Sequence, residues 1–173
     1  MTDGTTVEVG VVGSEGMVGV SLLSGDDISP HQAIVQLADG AMRMRTRAFQ
    51  NAIKEDAAFT NLLLRYQQAL FTQVAQTAAC NRVHPVEERL ARWLLLSQDR
   101  MESSELNLTQ EFLATMLGVR RASVTVAALS LQTAGIITYS HGKITVLNRK
   151  GLEASSCECY EIVKKEFERL LGY

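Results

Sequence analysis

The stretch TQEFLATMLGVRRASVTVAALSL, from Thr109 to Leu131, constrains the fold of this chain more than any other. Its small and apolar residues have the spacing of two short helices that cross around one tight turn. Gly118 follows Ala114 by four residues, so the first helix can end at a residue that tolerates positive φ, and Ala114 lets the second helix approach closely. The predicted buried seam consists of Leu113, Leu117, Val119, Val124 and Ala127. We interpret the stretch as a helix-turn-helix, and a generic two-helix hairpin is the alternative.

The two helices begin with different capping residues. Thr109 is a good N-cap for the first helix, and Glu111 places a carboxylate in its first turn. Arg120 stands where the second helix would be expected to have a Ser or Thr cap, which favours a phosphate partner over local helix stability. Arg121 is the first residue on the outward face of the second helix, and its guanidinium can donate two hydrogen bonds to the O6 and N7 acceptors of guanine. The predicted DNA-contacting residues of the motif are Thr109, Arg120, Arg121, Ser123 and Thr125.

Two β-rich runs follow the second helix. Residues 136–139 and 144–147 are separated by the turn sequence SHGK, which is a hairpin pattern. A hairpin at this position makes the motif a winged helix-turn-helix. Lys143 and His141 at its tip could contact the sugar-phosphate backbone, and an ordinary turn residue is the alternative for His141.

The run from Val86 to Tyr160 resembles the DNA-binding half of the Crp/Fnr family of bacterial transcription regulators, above all in LTQEFLATMLGVRRASVTVAALSLQTAGII and HGKITVLNRKGLE. The resemblance implies double-stranded DNA and a second copy of the chain as partners, with RNA polymerase as a further one. In that family the recognition helix commonly carries Arg-Glu near its start and a second Arg one turn later. Arg121 matches the first arginine, whereas Ala122 and Val126 replace the glutamate and the second arginine. This departure implies a different operator.

Charge is unevenly distributed along the chain. The formal net charge is −2, but residues 109–150 contain five basic residues and one acid, a local net charge of +4. Local charge governs the interaction with phosphates, so a nucleic-acid partner remains the prediction. The apolar runs are too short for a membrane span and no signal peptide begins the chain, so we expect a cytoplasmic protein with no membrane partner.

Neither the histidines nor the cysteines predict a catalytic site, a metal site or a cofactor. His31, His84 and His141 lie in separate segments, without a nucleophile or metal-ligand spacing, so an enzyme is not expected. Cys157 and Cys159 fall in a predicted helix, where residues two apart point roughly 200° from each other and cannot bind one ion. We therefore predict that these thiols and Cys80 are structural, with redox sensing as the alternative.

Residues 5–45 have a β pattern. Residues 5–12 alternate and end at the turn Gly13–Gly16, while residues 33–37 and 41–45 flank Asp39-Gly40, a strong hairpin signal. The segment resembles the second half of the β-roll sensor domain of Crp/Fnr proteins, which implies a truncated or misassigned start. Strands without their partners would fray or pair with another chain.

The resemblance also bears on the effector. Family members that bind cyclic AMP hold its ribose and phosphate with a Gly-Glu-Leu segment and a later Arg-Ser. Here the matching places are Gly16–Gly19 and His31–Ala33, which lack both the carboxylate and the arginine. The resemblance therefore implies no response to cyclic AMP.

A long helix is predicted from about Asp56 to Asn81, after a shorter one that begins near Thr46. Its seam recurs in alternating steps of four and three and comprises Phe59, Leu63, Tyr66, Leu70, Gln73 and Thr77. Because the helix is apolar over most of its surface, it has to be covered on two sides. We predict that one side packs on the β segment and the other on the same helix of a second subunit, as in the family. A monomeric core helix is the alternative.

His84-Pro85 is predicted to break that helix, and the next one runs to about Gln98 and buries Trp93. Residues 101–105 are predicted as a polar loop, and a final helix from Arg149 to Leu171 packs on the core or offers a partner surface.

These patterns predict an α+β fold: a partial cyclic-nucleotide-binding-like β-roll in residues 1–55, a dimerisation helix in 56–83 and a winged helix-turn-helix DNA-binding domain in 84–173. The predicted function is that of a sequence-specific transcription regulator that binds a palindromic operator as a homodimer. The alternative is a truncated regulator that heterodimerises with a full-length relative and blocks its DNA binding.

Overall fold

A computed structural model describes residues 2, 6–36, 40–101 and 105–172. Its helices are a 3-10 turn at Val20–Ser24, α1 (Thr46–Glu55), α2 (Ala57–Val83), α3 (Val86–Asp99), α4 (Gln110–Leu117), α5 (Arg121–Thr133), α6 (Arg149–Ala154) and α7 (Cys159–Leu171). The strands of this part are β1 (Glu105–Asn107), β2 (Ile137–Ser140) and β3 (Lys143–Val146), which form one antiparallel sheet in the order β1-β3-β2. The predicted α+β class with a C-terminal winged helix-turn-helix is confirmed.

Helix α3 lies at the centre of the main core. Leu90 and Leu94 are fully buried, and Trp93 is 2% exposed with its indole Nε1 donating to Oε1 of Glu8 at 2.9 Å. The helix contacts α5, α6 and α7, so it joins the C-terminal helices to the helix-turn-helix. Each buried leucine stabilises this core by about 1.5–3 kcal/mol relative to an exposed one.

The predicted strands of residues 5–45 do not form within the described residues. Val11 instead exchanges two hydrogen bonds with the buried amide of Gln73, each 3.1 Å long, and the Glu8 N–H donates to the Met116 carbonyl at 3.2 Å. Helical neighbours thus satisfy backbone groups that a sheet would have paired. Thr5 and residues 37–39 of the predicted hairpin lie outside the described part.

The turn predicted at Gly13–Gly16 is present, since the Gly16 N–H donates to the Gly13 carbonyl at 3.2 Å. Gly16 lies so close to the ring of Tyr66 that a Cβ would collide with it. The turn is therefore fixed against α2, whose Tyr66 hydroxyl donates to the Met17 carbonyl at 3.1 Å.

The predicted start of α1 and the predicted bounds of α2 and α3 agree with the structure to within two residues. Asp56 caps α2 by accepting from the Phe59 N–H at 3.0 Å. Pro85 occupies the N-cap of α3 and not its first helical position.

The predicted single helix from Arg149 to Leu171 is wrong, because the chain forms two helices with a break at residues 155–158. Ser155 is the C-cap of α6, and the Ser156 hydroxyl donates to the Glu153 carbonyl at 2.9 Å. Helix α7 then packs on α2. Part of the predicted loop at 101–105 is also wrong: Glu105 begins β1, while residues 102–104 lie outside the described part.

No single helix in the described ranges is both long and apolar enough to cross a membrane. Taken together across a bend of 107°, α4 and α5 reach the required length and composition.

Candidate nucleic-acid interface

The two helices of the predicted helix-turn-helix are present and meet at 107°. Thr109 caps α4 by accepting from the Phe112 N–H at 3.1 Å. Gly118 ends that helix with φ +62°, in the left-handed region where glycine is unstrained. Leu113, Leu117, Val124 and Ala127 of the predicted seam are buried, and Val119 is partly buried against the same core.

The outward face of α5 carries Arg121 and Thr125, which are both exposed, whereas the half-buried Ser123 lies on another side of the helix, beside Val86 and Glu87 of α3. Gln110 Oε1 accepts from the Thr125 hydroxyl at 2.9 Å and from Arg121 Nε at 3.4 Å. The glutamine thus orients the guanidinium through Nε and leaves its Nη donors for a base edge. Sequence reasoning missed Gln110, because only the crossing of the two helices brings it to a residue eleven positions away.

Helix α5 begins without a side-chain cap, since Arg120 occupies the N-cap and its exposed side chain makes no capping bond. Uncapped N–H groups in a first turn, together with the helix dipole, favour an anion. Arg120 therefore places a cation beside a backbone site suited to phosphate.

The wing is a tight hairpin. Its two-residue turn consists of His141 and Gly142 with φ of +51° and +77°, the pattern of a type I′ turn. The strands consequently lie one residue away from the predicted ones. Lys143 Nζ is 2.6 Å from Glu105 Oε2, and both side chains are about half exposed, so this surface ion pair contributes at most about 1 kcal/mol.

Arg149 belongs to an internal network and not to the exposed basic surface. Its guanidinium donates to Asp99 at 2.6 Å, to Glu153 at 2.9 Å and to the Tyr160 hydroxyl at 2.6 Å. Burial, and then the Asp99 carboxylate, raise the pKa of Tyr160. The local positive charge near the recognition helix is therefore smaller than the sequence count suggested.

The predicted dimerisation residues lie inside this chain. Leu63, Tyr66, Gln73 and Thr77 are buried, and Phe59 and Leu70 are partly buried. Among their partners, Arg92 Nη1 donates to the Thr77 hydroxyl at 3.2 Å, so the seam packs on the protein's own core.

The opposite side of α2 is exposed. Leu64 and Phe71 are 48% and 66% exposed. The exposed α2 stripe comprises Leu64, Gln68, Phe71, Ala75 and Ala78.

A second group of polar side chains lies away from the recognition helix. One candidate ligand atom from each of Cys80, His84, Cys157 and Cys159 lies within 4.8 Å of the others. The prediction that Cys157 and Cys159 lie on one helix and point apart is wrong, because Cys157 precedes α7 and Cys159 is its first residue.

Residues 88–155 match the model of the Crp-like helix-turn-helix domain. Among solved structures, FixK2 from Bradyrhizobium japonicum is similar at 19% identity and a TM-score of 0.59, over 66% of this chain and 60% of that one. A CooA mutant from Carboxydothermus hydrogenoformans is 22% identical with a TM-score of 0.51, over 62% of this chain and 53% of that one. TTHB099, a transcriptional regulator of the CRP family from Thermus thermophilus, is 20% identical with a TM-score of 0.51, over 62% of this chain and 57% of that one.

The chain thus spans between half and about three-fifths of the length of these structures. At these identities the likeness concerns the fold. No curated protein matches the sequence.

Proposed function

Because this chain carries the DNA-binding domain of a Crp/Fnr-type transcription regulator, we propose that it binds a palindromic operator as a homodimer. One observation carries the proposal: Arg121 is exposed at the start of a recognition helix and is held there by Gln110. The division into residues 1–55, 56–83 and 84–173 belongs to the same proposal.

The exposed face of α5 suggests which bases it reads. The Arg121 guanidinium fits the O6 and N7 acceptors of guanine, a contact that discriminates by about 1–3 kcal/mol. Ala122 and Val126 are exposed, the latter by 70%, and offer methyl groups that suit the methyl group of thymine. The expected half-site therefore combines a guanine with neighbouring thymines.

Phosphate contacts would come from both ends of the motif. Arg120 and the uncapped first turn lie at the start of α5, and His141 and Lys143 lie at the wing tip. Lys143 would leave Glu105 and bind a phosphate. Because the surface ion pair with Glu105 is weak, little stability is lost when it breaks. Thr109 supports the interface by capping α4.

The proposed dimer forms through the exposed α2 stripe, because the predicted seam is occupied by the chain's own residues. The stripe recurs in steps of four and three, which suits an antiparallel or parallel helix pair. A relative's α2 could occupy the same stripe, and this is how the alternative function, inhibition by heterodimerisation, would operate.

Cyclic AMP is not the proposed effector. The turn Gly16–Gly19 packs on Tyr66 and brings no cationic side chain of its own to a cyclic phosphate. The proposed protein is a regulator and not an enzyme. It would act in the cytoplasm, and RNA polymerase would be one of its partners.

The test is selection of DNA from a random pool by the purified full chain, followed by affinity measurements at two salt concentrations. We expect a palindromic site, and a slope of log K against log salt of roughly −0.9 per phosphate neutralised. Arg121→Ala should lose the selection, whereas Arg169→Ala, which removes an exposed arginine of α7, should keep it. Binding that does not distinguish these variants would refute the role of α5, and salt-insensitive capture of a full-length relative would favour the inhibitor.

A further inference from the structure

We propose that Cys80, His84, Cys157 and Cys159 bind a single Zn²⁺ ion, in a site that joins the end of α2 to the start of α7. The three cysteines form a buried cluster, with exposed fractions of 0%, 5% and 1%, and His84 is partly buried beside them. Three thiolates and one imidazole are a ligand set that tetrahedral structural zinc sites use.

The distances between the candidate ligand atoms suit one ion. Cys80 Sγ and Cys157 Sγ are 3.5 Å apart, and Cys159 Sγ is 3.5 Å from His84 Nδ1. With Zn–S and Zn–N bonds of about 2.3 and 2.0 Å, the edges of a tetrahedron measure about 3.5–3.8 Å. All four candidate ligand atoms lie within 4.8 Å of one another, so ion binding would require the longest separation to shorten by about 1 Å at most.

The backbone explains how four ligands from distant positions converge. Cys80 and His84 are separated by four residues at the end of α2, where such residues share one face, and the His84 N–H donates to the Cys80 carbonyl at 3.1 Å. The break between α6 and α7 frees Cys157 from helical geometry and lets it approach Cys159 from the side.

Neighbouring groups orient the ligands as second-sphere residues do around zinc. His84 directs Nδ1 to the cluster while its Nε2 lies 3.3 Å from a Glu158 carboxylate oxygen. A carboxylate on the far nitrogen of a histidine ligand fixes its tautomer and ring orientation. Gln76 Nε2 donates to Cys159 Sγ at 3.2 Å, a bond that stabilises a thiolate more than a thiol.

Two buried arginines supply the charge balance. Arg89 and Arg92 are 6% and 3% exposed. Within the described ranges, neither forms an ion pair with a carboxylate, and the Nε of each has no hydrogen-bond partner. Zn²⁺ with three thiolates carries a net charge of −1, which offsets this buried positive charge, whereas neutral thiols would not.

The ligand set favours Zn²⁺ over other metal ions and favours a metal site over a disulfide. Thiolates and imidazole favour Zn²⁺ over Mg²⁺ or Ca²⁺, which take oxygen ligands. Four protein ligands around one ion leave no open position, so the site is structural. A disulfide between Cys80 and Cys157 would need an S–S distance near 2.05 Å and would leave the other two ligands unused.

The site would stiffen the region that supports the recognition helix. Its ligand His84 lies between α2 and α3, and from α3 the Arg89 guanidinium donates to the Leu117 carbonyl at the end of α4. Zinc binding itself does not depend on the proposed DNA binding, so either proposal can fail without the other.

The experiment is metal analysis of the full chain purified under reducing conditions from zinc-supplemented cells. We expect about one zinc per chain, and replacement by Co²⁺ should give the intense charge-transfer and visible absorption bands of a tetrahedral thiolate site. Cys157→Ser and Cys159→Ser should each lose the metal, and Glu158→Gln should weaken Zn²⁺ binding about 10–100-fold. His31→Ala, in a distant exposed segment, is the matched control and should keep one equivalent.

Co²⁺ titration of the wild-type chain keeps the test independent of whether a cysteine variant folds. A metal-free wild-type chain that gives no Co²⁺ bands refutes the site. Bound iron in place of zinc, or a Cys80–Cys157 disulfide in the reduced preparation, also overturns the proposal.

Discussion

At the scale of single residues, surroundings decide what each charge does. Arg121 lies within the helix-turn-helix and Arg149 follows the wing, yet Arg121 is exposed and Arg149 bonds to a carboxylate 50 residues away. The exposure of Arg121 could be predicted because helical periodicity is local. The partners of Arg149 could not, because only the packing of α3, α6 and α7 brings them together.

Glu8 provides a residue-scale prediction about pH. Burial raises the pKa of its carboxyl above the ordinary value of 4.5, against the lowering effect of hydrogen bonds from Gln36 and Trp93. Between the unfolded and the higher folded pKa the native state binds more protons, so this group's contribution makes the free energy of unfolding fall as pH rises through that window.

Glu8→Gln should therefore raise the midpoint of urea unfolding near neutral pH and flatten its pH dependence above about pH 4.5. The amide oxygen can still accept from the Trp93 indole, so the bond to α3 is kept. Urea titrations from pH 4 to 7 measure this effect. Glu168→Gln, at an exposed position of α7, should leave the curve unchanged, and a destabilised Glu8→Gln at neutral pH would contradict the assignment.

At the scale of elements, the sequence predicted those whose signals are local. Apolar periodicity located α2 to α5, and Thr109 and Gly118 marked the ends of α4. In contrast, the three-residue strand β1 exists because it pairs with β3, and contacts with Gln73 replace the predicted N-terminal strands. The same distinction applies to the sites. Helix α5 was predictable from its own residues, but the thiol cluster depends on the break between α6 and α7.

Gly118 gives an element-scale prediction, because the crossing of α4 and α5 depends on its left-handed φ of +62°. Gly118→Ala should lower the free energy of unfolding by about 1 kcal/mol or more, since a Cβ is strained at that φ and would lie 3.0 Å from Val7 Cγ2. Chemical denaturation followed by tryptophan fluorescence measures the loss. Gly40→Ala, where a Cβ meets nothing within 4 Å, is the control, and equal stabilities would show that the turn tolerates alanine.

At the scale of the whole molecule, the proposed function depends on two copies of the chain. Helix-turn-helix dimers read half-sites about 34 Å apart, so the spacing is set by whatever joins the protomers. The exposed α2 stripe is available for this role, because the other side of α2 is covered by α7 and the N-terminal segment.

Phe71→Asp tests that arrangement, since Phe71 is 66% exposed in the single chain and its loss should disturb folding little. A charge in the centre of an apolar helix pair should convert the dimer to a monomer in light scattering, because it would be buried without a partner. Affinity for a full palindrome should then fall about 100-fold, as the second half-site no longer binds intramolecularly, while affinity for an isolated half-site stays the same. Val35→Asp, at a position 83% exposed in the N-terminal segment, should remain dimeric. A dimeric Phe71→Asp protein would place the interface elsewhere, and equal weakening on half-site and palindrome would point to a damaged DNA-binding domain in place of a lost dimer.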